Sequence, residues 1–135
     1  MGKRILVVDD AKFIRTMLGN ILEEAGYEVV GEAGNGVEAL ELYEKLKPDL
    51  MLLDIIMPEM EGNVVLGRLL KQHPDAKVLI ISAVGQRFLV DKALKSGAMG
   101  YIVKPVDPED VIAQVEKIIG PPDAGEQTQQ TKIGL

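Results

Sequence analysis

The chain has 135 residues, 47% of them apolar, and a formal net charge of −6. That size and apolar content fit one globular domain with an ordinary core and exclude a wholly disordered chain. The acidic balance disfavours direct nucleic-acid binding, which relies on Lys and Arg, and the absence of cysteine excludes disulfides, thiolate metal sites and a cysteine nucleophile.

Along the chain, short apolar runs alternate with helical patterns. Arg4–Val8 reads as a strand that ends in Asp9-Asp10. Ile14, Met17, Leu18, Ile21, Leu22 and Ala25 recur at helical spacing, and Gly26 stops that helix. Glu28–Ala33 alternates apolar and polar loosely, as a strand near a sheet edge does. Gly34-Asn35-Gly36 is a turn, and 37–46 is a helix closed by Pro48. The apolar run 50–53 ends in Asp54, and a helical stretch over 64–71 follows Gly62. Residues 77–81 read as a buried strand ending in Ser82. Residues 86–95 are helical in composition, with Gly97 as C-cap. A short strand over 101–103 ends at Lys104-Pro105. The last helix has a strong start: Asp107 as N-cap, Pro108 at the first helical position, then Glu109 and Asp110 in the first turn. Its apolar face is Val111, Ile112, Val115, Ile118 and Ile119.

Five successive βα units predict the α/β class, with a five-stranded parallel sheet covered on both faces. Five units cannot close an eight-stranded barrel, so an open, doubly wound sheet is expected. Residues 1–120 form the expected domain. Residues 121–135, rich in Pro, Gly, Gln and Thr without periodicity, read as a flexible C-terminal tail. The apolar run after Lys3-Arg4 is far shorter than the roughly 7–15 residues of a secretory h-region. No stretch approaches the roughly 18 apolar residues of a membrane span. The expected location is the cytoplasm.

In open parallel sheets, ligands bind beyond the carboxyl ends of the strands. Four of the five predicted strands end there in Asp9-Asp10, Asp54, Ser82 and Lys104. Each has an ordinary structural explanation: Asp10 as a helix cap, Ser82 as a turn residue, Lys104 as a solvated charge. Together they point to chemistry. Carboxylates about 5 Å apart repel by roughly 3 kcal/mol per pair at an effective dielectric of about 20. A cation, a proton or the Lys104 ammonium must offset that cost. Carboxylate oxygens without His or Cys suit Mg²⁺, which often shares its ligands with a phosphate. Carboxylates, a hydroxyl and a lysine are equipped for phosphoryl transfer, with one carboxylate as nucleophile.

The segments Val7-Val8-Asp9-Asp10, Asp54-Ile55-Ile56-Met57-Pro58-Glu59-Met60-Glu61-Gly62, Ser82-Ala83, Gly97-Ala98 and Tyr101-Ile102-Val103-Lys104-Pro105 resemble a response-regulator receiver domain. The stretch Ser82-Ala83-Val84-Gly85-Gln86 is most similar to the single-domain, chemotaxis-type CheY-like members. The resemblance implies the flavodoxin-like strand order 2-1-3-4-5. It implies that Asp54 accepts a phosphoryl group from a histidine kinase, a phosphotransfer protein or a small phosphodonor. Asp10, Asp54 and the Ile56 carbonyl would bind Mg²⁺, with Asp9 helping through water. Lys104 would pair with a phosphoryl oxygen, and Ser82 and the Ala83 amide would hydrogen-bond the phosphoryl group. Tyr101 would turn inward as Ser82 moves, and Lys104-Pro105 would be cis.

Other positions carry lesser expectations. Met57-Pro58 shapes the loop after Asp54, and Gly62 lets the chain turn into the next helix. Glu61 stands where the family often has Asp. His73, beside Pro74, is expected to be solvent-exposed and neither a ligand nor a phosphorelay histidine. Ile56 and Val84 flank the expected path of attacking water, and as apolar branched residues they should slow hydrolysis of the aspartyl phosphate.

The expected function is a stand-alone phosphorylation switch, probed by a kinase on one side and read by an output protein, such as a motor switch component, on the other. The switching surface would be the 86–95 helix, the following strand and the last helix. The protein would act as no enzyme beyond its own phosphoryl acceptance and slow autodephosphorylation. A phosphorelay intermediate and a receiver cut from a longer regulator are the alternatives. An aspartyl-nucleophile phosphatase of the haloacid dehalogenase type would carry an acid at position 56, which is Ile. A flavodoxin-like electron carrier would need a hydroxyl- and Gly-rich loop where Asp9-Asp10-Ala11-Lys12 stands. An unphosphorylated binding module would have no use for the full set of acids and lysine.

Overall fold

A computed structural model describes residues 3–122. The expected tail therefore lies, from residue 123 on, outside the described residues. The described chain forms β1 (Arg4–Val8), α1 (Lys12–Glu24), β2 (Glu28–Ala33), α2 (Gly36–Leu46), β3 (Leu50–Asp54), α3 (Gly62–Gln72), β4 (Val78–Ser82), α4 (Arg87–Ser96), β5 (Gly100–Val103) and α5 (Pro108–Ile119). The strands are all parallel, in the order β2-β1-β3-β4-β5. The reversal of strand order lies between β1 and β3, where the first and second acidic segments emerge side by side.

The three central strands are buried on both sides, which is why they read as unbroken apolar runs. Their side chains alternate between two cores. Leu6, Val8, Met51, Leu53, Val78 and Ile80 pack against α2, α3 and α4. Ile5, Val7, Leu50, Leu52, Leu79 and Ile81 pack against α1 and α5 through Leu18, Leu22, Val111 and Val115. Truncating one of these fully buried leucines to alanine costs about 2–5 kcal/mol. The edge strand β2 is only partly buried, matching its looser alternation.

The helix ends follow local chemistry. Asn35 Oδ1 accepts from the Glu38 amide at 2.9 Å, and Glu38 Oε1 accepts from the Gly34 amide at 2.8 Å, a reciprocal cap that starts α2. Asp107 Oδ1 accepts from the Glu109 amide at 3.2 Å and starts α5. Gly26 and Gly97 follow α1 and α4 with positive φ, as stop signals should. The end of α5 is tied back by Lys3 Nζ on the Ile119 carbonyl and Tyr27 Oη on the Gly120 carbonyl, both at 2.8 Å. Among the described residues no helix is long and apolar enough to cross a membrane.

Two expectations need correction. His73 is not freely exposed. It is half-buried, its Nε2 lies 2.6 Å from Glu44 Oε2, and its ring sits 5.0 Å from that of Tyr43. The cause is through-space: α2 and α3 are neighbours on one face, so the end of α3 meets the last turn of α2. It lies outside the acidic cluster, as expected. Gly62 is needed for close approach rather than for a turn. A Cβ there would lie 2.6 Å from the Asp54 carbonyl oxygen and 2.7 Å from Ile55 Cα. The Gly62 amide also donates to the Ile55 carbonyl at 2.9 Å, pinning the start of α3 against the strand that carries Asp54.

Candidate functional site

The carboxyl ends of β1, β3, β4 and β5 bring together Asp9, Asp10, Asp54, Ser82 and Lys104. Parallel pairing does this directly. Val8 is opposite Leu53, Asp54 opposite Ile81, and Ser82 opposite Val103, so the last residues of β3 and β4 and the residues just after β1 and β5 emerge at one edge. Asp9, Asp10 and Asp54 each offer a carboxylate oxygen, and these oxygens lie within 4.8 Å of one another.

The ordinary structural explanations fail at these positions. Asp10 does not cap α1, whose N-cap is Ala11 with no side-chain hydrogen bond. Ser82 is fully buried as the last residue of β4, and α4 begins only after Gln86. Lys104 is not a free surface charge. Its Nζ lies 3.1 Å from Asp9 Oδ2 and 3.4 Å from Asp54 Oδ2, with its side chain 25% exposed. The preceding strand is locked to β4 by the Lys104 amide, which donates to the Ser82 carbonyl at 2.7 Å. The Lys104-Pro105 bond is cis, as the resemblance implied.

Asp9 and Asp54 are buried, and each has one oxygen occupied by backbone. Asp9 Oδ1 accepts from the Ala11 amide at 2.9 Å, and Asp54 Oδ1 accepts from the Ile56 amide at 3.3 Å. Their other oxygens share the lysine. Burial pushes the Asp54 carboxyl up to about 6, and the Asp9 charge raises it further within that total, while Lys104 and the Ile56 amide pull the other way. For Lys104, burial favours loss of the proton, but attraction to Asp54 and Asp9 outweighs it, and the ammonium is held above its usual range.

This arrangement fits a hard divalent cation. Asp9 Oδ2 is buried and receives no aligned hydrogen bond, only the lysine charge. An under-satisfied carboxylate oxygen beside two further carboxylates is a donor set for Mg²⁺. Ile56 follows in the loop after β3 and is 44% exposed, and Val84, in the loop after β4, is 81% exposed.

Tyr101 lies on β5 opposite Ile80, half-buried, and its Oη accepts from Arg87 Nη1 at 2.8 Å. The Arg87 guanidinium carbon is 5.3 Å from the ring centroid. A cavity of about 210 Å³ lies beside the ring, bounded by Ser82, Val84, Gln86, Arg87, Val90 and Tyr101. The Ala83 amide is already engaged: it donates to Gln86 Oε1 at 2.8 Å. Neither Arg87 nor Gln86 stood out in the sequence as a site residue. The available signal was positional, since both open the helix that leaves the edge shared by β4 and β5.

Comparison with known proteins agrees with this geometry. The profile of the family described as "Response regulator receiver domain" matches residues 5–116. The chemotaxis protein CheY of Thermotoga maritima is 50% identical over 118 residues, covering 87% of this chain and 98% of that protein. The chemotaxis protein CheY of Listeria monocytogenes is 46% identical over 114 residues, covering 84% and 96%. Among solved structures, a chain of the CheX–CheY–BeF3–Mg²⁺ complex from Borrelia burgdorferi superposes with a TM-score of 0.82 at 34% identity, covering 85% of this chain and 87% of that one. The chain thus belongs to the response-regulator receiver family, as a CheY-like member.

Proposed function

We propose that this receiver domain is a phosphorylation switch in chemotaxis, with Asp54 as phosphoacceptor. The observation that carries the reading is the Lys104 ammonium held between the buried Asp9 and Asp54 carboxylates at the strand ends. Asp54 Oδ2 attacks the phosphorus of a phosphohistidine on a kinase or phosphotransfer protein. The new P–O bond forms as the P–N bond breaks, and the imidazole leaves with the electron pair and takes up a proton. Mg²⁺, when bound, neutralises the carboxylates and the transferred oxygens. Asp9, Asp10 and Asp54, with the Ile56 carbonyl, would hold it. Lys104 follows the charge from the carboxylate to a phosphoryl oxygen, and Ser82 and the Ala83 amide supply hydrogen bonds to the remaining oxygens.

Output is proposed through the α4-β5-α5 face. The cavity beside Tyr101 gives its ring a place to turn into. Phe88, Met99 and Val103 expose apolar surface on α4 and around β5, as a protein-docking face does. The CheY–CheX complex of Borrelia burgdorferi, with its BeF3 and Mg²⁺, supports a protein partner and a cation for this chain as well. The chemotaxis assignment follows the names of the CheY relatives.

The test adds beryllofluoride, a phosphoryl mimic, or acetyl phosphate with Mg²⁺ to wild type and to Asp54→Ala. Wild type should gain one phosphoryl group by mass from acetyl phosphate and shift its Tyr101 resonances, and the variant should do neither. Identical behaviour of the two proteins would remove the switch reading.

A further inference from the structure

Gln86 is the N-cap residue of α4, yet its side chain does not cap that helix. It turns back along the loop instead, and its Oε1 accepts from the Ala83 amide at 2.8 Å. The Ala83 residue is exposed, so water was available to satisfy the amide. Ordering a rotamer-rich glutamine costs entropy, as ordering Glu38 on the Gly34 amide does, and a role beyond capping must come from the contact's position.

The position of the contact supplies one. Ala83 directly follows Ser82, at the strand end that faces Asp54. A glutamine carbonyl and a phosphoryl oxygen are both single acceptor oxygens and compete for the same N–H. They differ in charge. A neutral acceptor makes the weaker bond and an anionic one the stronger, so an arriving phosphoryl oxygen can displace the glutamine. The loop is unobstructed for that exchange: Gly85 turns it with φ +91, and a Cβ there would meet nothing within 4 Å.

The next residue links the exchange to the output face. Arg87 Nη1 donates to Tyr101 Oη at 2.8 Å, and Arg87 Nε is held by Asp91 Oδ1 at 2.9 Å. Adjacent residues at the start of α4 thus grip the amide needed by the phosphoryl group and the tyrosine that reports on it. We propose that Gln86 is a positioning residue that occupies the phosphoryl-oxygen place on the Ala83 amide, and that its displacement, passed on through Arg87, releases Tyr101. The inference rests on the reading of Asp54 as phosphoacceptor.

The experiment titrates beryllofluoride with Mg²⁺ into the full chain, followed by amide NMR at Ala83 and Tyr101. Gln86→Ala removes the competitor and should bind beryllofluoride about two- to tenfold more tightly, the worth of one net hydrogen bond. Its ligand-free Tyr101 resonances should move toward the bound positions. Gln86→Glu puts an anion on the amide and should bind on the order of tenfold more weakly or worse. A purely loop-shaping role would instead make both variants weaker. Wild-type affinity in Gln86→Ala, or an Ala83 amide resonance unaltered by that substitution, overturns the proposal while leaving the phosphoacceptor intact. Failure of wild type itself to bind beryllofluoride would overturn the phosphoacceptor reading, and this inference with it.

Discussion

Replacing Asp54 by Asn should stabilise the cation-free protein, by an amount that depends on pH in a defined way. Asp54 is almost fully buried beside Asp9, and burial with that neighbour raises its carboxyl from 3.8 to about 6. Because the pKa is raised on folding, the folded chain holds the proton more tightly than the unfolded one. Below about pH 4 both states are protonated and the group costs little. As pH rises, the unfolded chain ionises first and stability falls, until the folded carboxyl ionises near pH 6 and the full cost is present. Two pKa units at about 1.4 kcal/mol each give a cost of about 3 kcal/mol at neutral pH. Asn keeps the shape and removes the charge, while Lys104 retains Asp9 at 3.1 Å.

Urea unfolding in a chelator should therefore place Asp54→Asn about 3 kcal/mol above wild type near pH 7.5, a midpoint shift of about 1–2 M. The gap should fall to about half near pH 5 and to about 0.5 kcal/mol near pH 4. Mg²⁺ should then stabilise wild type more than the variant, because the variant has lost a ligand, and so narrow the gap. A gap of equal size at low and neutral pH, or none at either, would refute the view that Asp54 is a carboxylate held at electrostatic cost.

Gly62→Ala should destabilise by about 1–3 kcal/mol, since its Cβ would press on the backbone of β3. Gly67→Ala, on the same helix with open space at its Cβ, should instead stabilise by about 0.5–1 kcal/mol. Urea midpoints moving in the same direction for the two would contradict the contact argument. Ile56→Asn combined with Val84→Gln would offer hydrogen bonds to attacking water where two apolar side chains now stand. Loss of label from the purified phosphoprotein should speed up on the order of tenfold, a barrier change of about 1.4 kcal/mol. An unaltered half-life would show that water reaches the phosphoryl group by another route.

The sheet was legible because its central strands are buried on both faces and so appear as unbroken apolar runs. Helix starts were less so. α3 begins at Gly62-Asn63, two weak helix formers that look like loop, and α4 begins at Arg87 rather than at Gln86. Asp9, Asp10, Asp54, Ser82 and Lys104 were legible because parallel pairing converts "last residue of a strand" into "neighbour at the site". That rule reaches only strand ends. His73 meeting Glu44, Gln86 meeting the Ala83 amide and Arg87 meeting Tyr101 are contacts between helix ends, within a loop and from helix to strand, and no period in the sequence encodes them.

On the proposed reading, the same division accounts for how the site would act on the α4-β5-α5 face. The acids and lysine are placed by strand ends, which on the proposed reading would make them a charge detector anchored to the sheet. On the proposed reading, a phosphoryl group would replace the Asp54 charge with a dianion, faced by Asp9 and Asp10 and by the Lys104 ammonium. That repulsion would call for a divalent cation and for Lys104 and the Ala83 amide to turn toward the new oxygens. Lys104 directly follows β5, three residues after Tyr101, and the Ala83 amide sits three residues before Gln86. Both demands would therefore reach Tyr101, through its own strand and through Arg87, which holds its hydroxyl. The contacts that would have to change are those made by side chains at the start of α4, and these are the contacts that strand periodicity does not reveal.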